Sequence, residues 1–217
     1  MIGRTDYHNV SGTRCATDFV ELPSIIMEHF IASPTVISSF ARHHENDRPL
    51  PPFLLEGLLK DRKKFSALET SNQIMMASLD QKFHSELPLQ KSSISSKTGR
   101  FDTDQVMKQV HEEFNVIPHA AGTAFQTSFG HLFGYGSTYY SYLFDRAIAA
   151  KIYRLKFAND PINRESGEEF KQGILKWGGG KDCWEMVGGI IGSEEVMRGG
   201  ESAMKLVGEW GIEEGRN

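Results

Sequence analysis

Two stretches of this chain hold residue types whose spacing could do chemistry. The first is Asn9-Val-Ser-Gly-Thr-Arg-Cys-Ala-Thr-Asp-Phe-Val-Glu-Leu-Pro-Ser24. Asp18 is followed three residues later by Glu21, with Pro23 just behind, which fits a helix capping box with aspartate at the cap and a proline in the first turn. Glu21 also carries hard carboxylate oxygens of the kind that bind zinc, and on this reading it would project from a helix as a ligand. The residues alone leave both readings open. The second stretch is Phe129-Gly-His-Leu-Phe-Gly-Tyr-Gly-Ser-Thr-Tyr-Tyr-Ser-Tyr142, which gathers four of the six tyrosines behind His131 and among three glycines. Glycine lets a backbone bend close to a ligand. A phenol with a pKa near ~10 donates a hydrogen bond at neutral pH without first losing its proton. Such a donor stabilises a developing oxyanion, and its loss raises a barrier by about 2.7–4 kcal/mol. The alternative is an aromatic helix packed into a core.

Other clusters are weaker. His43-His44-Glu45 stands beside a turn and reads as solvated. His111-Glu112-Glu113-Phe114-Asn115 opens like the zinc motif HExxH, but Asn115 occupies the place of the second histidine, and an i,i+4 pair is needed to set two imidazoles on one helix face. No HExxH occurs in the 217 residues. Gly178-Gly-Gly-Lys181 lacks the spacing and the preceding strand of a phosphate loop and reads as a helix stop. Cys15 and Cys183 lie far apart and neither belongs to a CxxC pair, so a reducing compartment such as cytosol or mitochondrial matrix is expected.

Bulk properties narrow the partners. A net charge of −4, without a long run of lysine or arginine, argues against a nucleic-acid or anionic-membrane surface. Apolar residues at 39% and charged residues at 24% place the chain in the globular range. Met1 to Asp18 shows neither a secretory signal nor a transit peptide. The stretch from Phe114 to Phe144 is free of Asp, Glu, Lys and Arg and long enough to span a bilayer, yet it is filled with Gly, Ser, Thr, Gln, His and Tyr, groups that are expensive in lipid. It reads instead as the wall of a ligand cleft.

The elements that must carry these residues are helical. Apolar positions at three-to-four spacing predict two helices over Ser24–His44, meeting at Ser33-Pro34, and two more from Phe53 to Phe83 with a break near Lys60–Lys64. Leu87–Arg100, rich in Ser and Lys, is the expected linker or surface loop. Thr103–Phe114 follows behind an Asp102/Thr103 cap, then Thr138–Phe157, Arg164–Trp177, Lys181–Ile191 and Ser193–Trp210, punctuated by glycines. A short extended segment is expected near Phe125–Phe129. The fold class is all-α.

Together the two stretches are more specific than either alone. Gly3-Arg-Thr5, His8-Asn-Val-Ser-Gly-Thr-Arg-Cys15, Thr17-Asp-Phe-Val-Glu-Leu-Pro-Ser-Ile25, Leu79-Asp-Gln81, His131-Leu132, Gly134-Tyr-Gly136, Tyr139-Tyr-Ser-Tyr-Leu143, Arg146-Ala-Ile-Ala149, Asp160-Pro161, Asn163-Arg164 and Gly178-Gly-Gly180 resemble the C-terminal part of the thimet oligopeptidase family of zinc metallopeptidases, in its mitochondrial branch. The likeness covers essentially all of 1–217. It implies the C-terminal helical half of a two-lobed, channel-forming, zincin-like catalytic domain, with a possible surface loop at 87–100. By the same resemblance Glu21 is the third zinc ligand, Tyr142 bonds the tetrahedral oxyanion, and His131 and Tyr135 contact the substrate backbone. Gly134 and Gly136 resemble the family's flexible loop, and Ala16 stands where many relatives have proline. The implied reaction is zinc-assisted hydrolysis of unfolded peptides in the mitochondrial matrix, with removal of an octapeptide from imported precursors, by an enzyme that is a monomer in full-length form.

The departure lies at the front. In relatives HExxH stands just upstream of the residues matching Met1-Ile-Gly-Arg-Thr5, so the expectation is a truncated chain without two of three ligands and without the general base. The 217 residues alone are therefore expected to hold zinc weakly or not at all and to be inactive. The competing expectation is a non-catalytic helical fragment that binds peptides or a partner chain.

Overall fold

A computed structural model describes residues 2–89 and 101–212. Among these residues the chain forms eleven α-helical segments: α1 (Leu22–Ile31), α2 (Pro34–Phe40), α3 (Pro52–Lys63), α4 (Ser66–Phe83), α5 (Thr103–Phe114), α6 (His131–Gly134), α7 (Ser141–Lys156), α8 (Arg164–Phe170), α9 (Cys183–Ile191), α10 (Glu194–Met197) and α11 (Gly200–Glu209). Among the described residues there is no strand, and one isolated bridge joins Arg42 to Pro49. The all-α expectation holds. Within the expected loop, Leu87–Leu89 forms a 3-10 turn, and residues 90–100 lie outside the described residues.

Local chemistry accounts for most boundaries. Pro34 at the first position of α2 divides it from α1, because its ring tolerates a helix start and not an interior. Asp102 accepts the amide of Gln105 at 3.0 Å and caps α5 as expected. Asp182 accepts the amides of Trp184 and Glu185 and opens α9, which Gly192 ends at φ 73°. Other expectations change. Phe125–Thr127 is a 3-10 turn, not an extended segment. The span 193–210 is two helices, because Gly199 and Gly200 take φ of 66° and 74°, a region that breaks a right-handed helix.

Contacts divide the chain into two compact units: Met1–Lys60 with Ser141–Asn217, and Asp61–Tyr140. The first is built on α1 packed along α7. Leu22 and Ile26 meet a face that includes Ala149 and Ile152, all at most 1% exposed, and Met186, Val187, Val196 and Val207 extend the same core. Each such aliphatic side chain contributes about 1.5–3 kcal/mol by leaving water. Between Phe170 and Trp177 the helix widens to a π turn over Lys171–Leu175, and the amide of Lys176 reaches the carbonyl of Lys171 at 3.0 Å. The glycines that follow do more than stop it. The Gly179 amide bonds Val10 O at 2.8 Å, and a Cβ there would lie 2.2 Å from Arg14 O, so only glycine lets this turn seat the 10–14 backbone.

His29, on α1, is 5% exposed and stacks on Tyr153 with centroids 5.0 Å apart. Burial, and behind it the Arg154 charge, push its pKa down to about 4 from 6.5. The folded protein therefore keeps this imidazole neutral in a range where the unfolded chain protonates it. The stability it contributes is present above pH ~6.5 and is lost as the pH falls toward ~4, by about 3 kcal/mol at most. Urea melts across that range should show the loss in the natural chain and a flatter profile in His29→Phe, which keeps the ring stack and cannot titrate.

The second unit pairs α4 with α5, bringing Met75, Met76 and Leu79 toward Val106, Met107 and Val110. The carbonyl of Phe114 at the end of α5 accepts the hydroxyl of Ser71 on α4, and the Gln126 side chain bonds Asp104. Of the described helices none is long and apolar enough to cross a membrane.

Candidate functional site

The expected site residues fall on both units: Glu21 and Tyr142 on the first, and His131, Gly134, Tyr135 and Gly136 on the second. In the first unit the capping box does not form. Helix α1 begins at Leu22, and Glu21 itself stands at its cap with φ −87° and ψ −8° and makes no side-chain capping bond. Turns closed by Phe19 N to Ala16 O and Leu22 N to Phe19 O carry the chain between them. Glu21 is half-buried, and its carboxylate lies 3.0 Å from the Ser24 hydroxyl, which also reaches Glu21 O at 2.8 Å.

What faces this turn is Asp145. It sits on α7 one helical turn after Tyr142, it is fully buried, and neither carboxylate oxygen has a hydrogen-bond partner within bonding geometry. Burial raises its pKa to about 8, and the neighbouring Asp18 and Glu21 charges add to the rise against the backbone amides of Glu21 and Leu22. At neutral pH it is mainly a neutral acid, able to donate as well as accept. Residues i and i+3 share a helix face, so the α7 surface that meets the Glu21 turn also carries Tyr142 at its start. Asp145 was not legible as a site residue, since no local spacing marks it.

Cys15 and Cys183 come together on one cavity of about 390 Å³, with Arg14, Lys181 and Asp182 around them. Both are free thiols. Burial raises both, Cys183 to about 12, so neither is a reactive thiolate at neutral pH.

In the second unit the aromatic residues form a continuous strip. Phe125 stacks on Phe129 at 5.2 Å, and His131 lies 5.4 Å from Phe129, 5.1 Å from Tyr139 and 5.7 Å from Tyr135, centroid to centroid. His131 opens the single turn α6, whose Phe133 is 97% exposed, and Tyr135 follows it half-exposed. The expected helix from 138 begins instead at Ser141, because Ser137 sits at φ 66° and the chain turns there. The strip thus presents an imidazole and a phenol on a turn rather than on a packed helix. A ring surface with hydrogen-bonding tips suits an extended peptide.

No group of three or more His, Cys, Asp and Glu that could hold a metal ion occurs among the described residues. Glu21 offers one carboxylate, and its ionisable neighbours are carboxylates. Zinc sites are built mainly on His nitrogen and Cys sulfur, with carboxylate oxygen as a complement, so these residues fit one corner of such a site and do not complete it.

The model of peptidase family M3 matches residues 1–206. The chain belongs to peptidase family M3. Its M3 relatives are close. Mitochondrial intermediate peptidase 1 of Cryptococcus neoformans var. neoformans is 52% identical over 98% of this chain and 29% of its own length. The mitochondrial intermediate peptidases of Botryotinia fuckeliana and Malassezia globosa are 47% and 46% identical, over 99% and 98% of this chain and 27% and 25% of theirs. The chain therefore spans between a quarter and three-tenths of the length of the curated relatives it matches.

Proposed function

We propose that these 217 residues form the C-terminal part of the catalytic domain of a mitochondrial zinc metalloendopeptidase that removes octapeptides from imported precursors. The observation that carries this reading is the identity of about half, sustained over nearly the whole chain, with M3 proteins named mitochondrial intermediate peptidases. In the proposed assignment Glu21 supplies one carboxylate to the metal, and the other ligands come from an HExxH segment outside these residues. Held there, zinc would supply Lewis-acid chemistry, with a bound water of pKa ≈ 7 and a polarised scissile carbonyl.

The general base would come from the same HExxH segment, and the chain's own residues would supply the oxyanion and substrate contacts. Tyr142 would donate a hydrogen bond from its phenol O–H to the carbonyl oxygen as negative charge builds there, an interaction stronger in the transition state than in the substrate. His131 and Tyr135 would bond the peptide backbone on the strip without selecting its side chains. Ser24 orients the Glu21 carboxylate. The neutral Asp145 spares the Glu21 turn a further buried negative charge. By itself the chain is proposed to cut nothing.

The test is processing. These residues joined in frame to an HExxH-bearing segment of an M3 relative, given a precursor already cut once, should release an octapeptide, seen as a single mass difference. Release of a different fixed length would refute the octapeptide assignment, and no cleavage with zinc bound would refute the peptidase reading.

A further inference from the structure

Gly134 and Gly136 look equivalent in sequence, yet their surroundings differ. A Cβ at Gly134 would meet nothing within 4 Å, whereas one at Gly136 would lie 2.6 Å from Nε2 of His84. His84 does not stand alone. Its Nδ1 lies 2.9 Å from both the carboxylate and the carbonyl oxygen of Asp80, one helical turn back on α4. Asp80 is fully buried, and its two carboxylate oxygens accept the backbone amides of Ser137 at 3.0 Å and Tyr139 at 2.9 Å. Two more bonds close the same point: Gln81 Nε2 donates to Ser137 O at 2.9 Å, and the Tyr139 hydroxyl donates to Gln73 Oε1 at 3.1 Å. Ser137 holds a left-handed φ of 66°, a conformation that a non-glycine residue keeps only where its neighbours fix it.

We propose that Asp80 is a positioning residue: by holding the backbone of Ser137 and Tyr139 it fixes the Tyr139 ring, against which His131 packs at 5.1 Å centroid to centroid. A buried carboxylate bonded to backbone amides is an expensive arrangement to break, since opening it strands a charge away from water. The exit is therefore the fixed end. The exposed ring of Phe133 and the half-exposed Tyr135 lie on the other end, before the pin. Gly136 is glycine because His84 fills the space beside it, whereas a side chain at Gly134 would meet nothing within 4 Å. That the His131 so placed meets a peptide rests on the peptidase reading; the pin itself does not.

Hydrogen exchange read by NMR on the 217-residue chain, without metal or peptide, tests the pin separately from that reading. In the natural chain the amides of Ser137 and Tyr139 should be protected. Asp80→Asn keeps the shape but turns an NH2 toward one of them, and that amide should exchange about 10- to 100-fold faster, the range for a bond to a charged group. The His131 and Tyr135 ring signals should shift with it, while the amides of Met107 and Val110 stay as they were. Gly136→Ala should loosen the same two amides and Gly134→Ala should leave them unchanged, which keeps the proposal falsifiable should the Asp80 variant fail to fold. Unprotected amides at 137 and 139 in the natural chain, or protection that survives both Asp80→Asn and Gly136→Ala, would overturn it.

Discussion

Replacing Tyr142 by phenylalanine should lower kcat about 10²- to 10³-fold in a form of the protein that also carries an HExxH segment, with KM changed little. The size follows from the role. A single oxyanion donor contributes about 2.7–4 kcal/mol to the barrier, because it acts where water is excluded and is already aimed when charge appears. In the proposed role the split between kcat and KM follows from timing, since the hydroxyl would bond an oxygen that becomes strongly basic only as the tetrahedral intermediate forms, while the ring that phenylalanine retains keeps its packing. Tyr142 lies in the first turn of α7, the helix whose next turn faces Glu21 through Asp145. A kcat within twofold of the natural enzyme would remove Tyr142 from the reaction. An equal rise in KM at constant kcat would make it a binding group instead.

The second large effect concerns zinc. The 217 residues alone should retain no stoichiometric zinc at micromolar metal and should hydrolyse no peptide, because one half-buried carboxylate among other carboxylates is not a zinc site. Joined to an HExxH segment, the same residues should take one zinc per chain. Glu21→Ala should then weaken it by more than about 100-fold, since even a partner that only orients a ligand is worth 10–100-fold. Elemental analysis with a competing chelator reads both arms. One tight zinc on the short chain, or full affinity in the Glu21→Ala variant, would contradict the assignment.

The sequence announced its helices where a local signal marked the boundary and lost them where the decisive contact was distant. Asp102 ahead of an amphipathic run placed α5 to the residue, and Pro34 split α1 from α2. Asp18 and Glu21 carried an equally good capping pattern that the structure does not use, because α1 starts only after Glu21. Gly178-Gly-Gly180 looked like a stop, and its steric reason lies more than 160 residues earlier in the chain, at Val10 and Arg14.

The candidate site divides in the same way. Glu21, His131, Tyr135 and Tyr142 stood out as residue types in a motif. Asp80 and Asp145 did not, because each is one acid in an ordinary helix whose importance comes from burial against a turn elsewhere: residues 137 and 139 for Asp80, the Asp18–Leu22 segment for Asp145. Buried carboxylates of this sort are invisible to spacing rules and plain in coordinates.

The most direct test of the account is a crystal structure, with data collected at the zinc absorption edge, of these residues joined to an HExxH segment. The account requires one anomalous peak within about 2.0–2.2 Å of a Glu21 carboxylate oxygen. A peak bound by other residues, with Glu21 outside coordination distance, would contradict it.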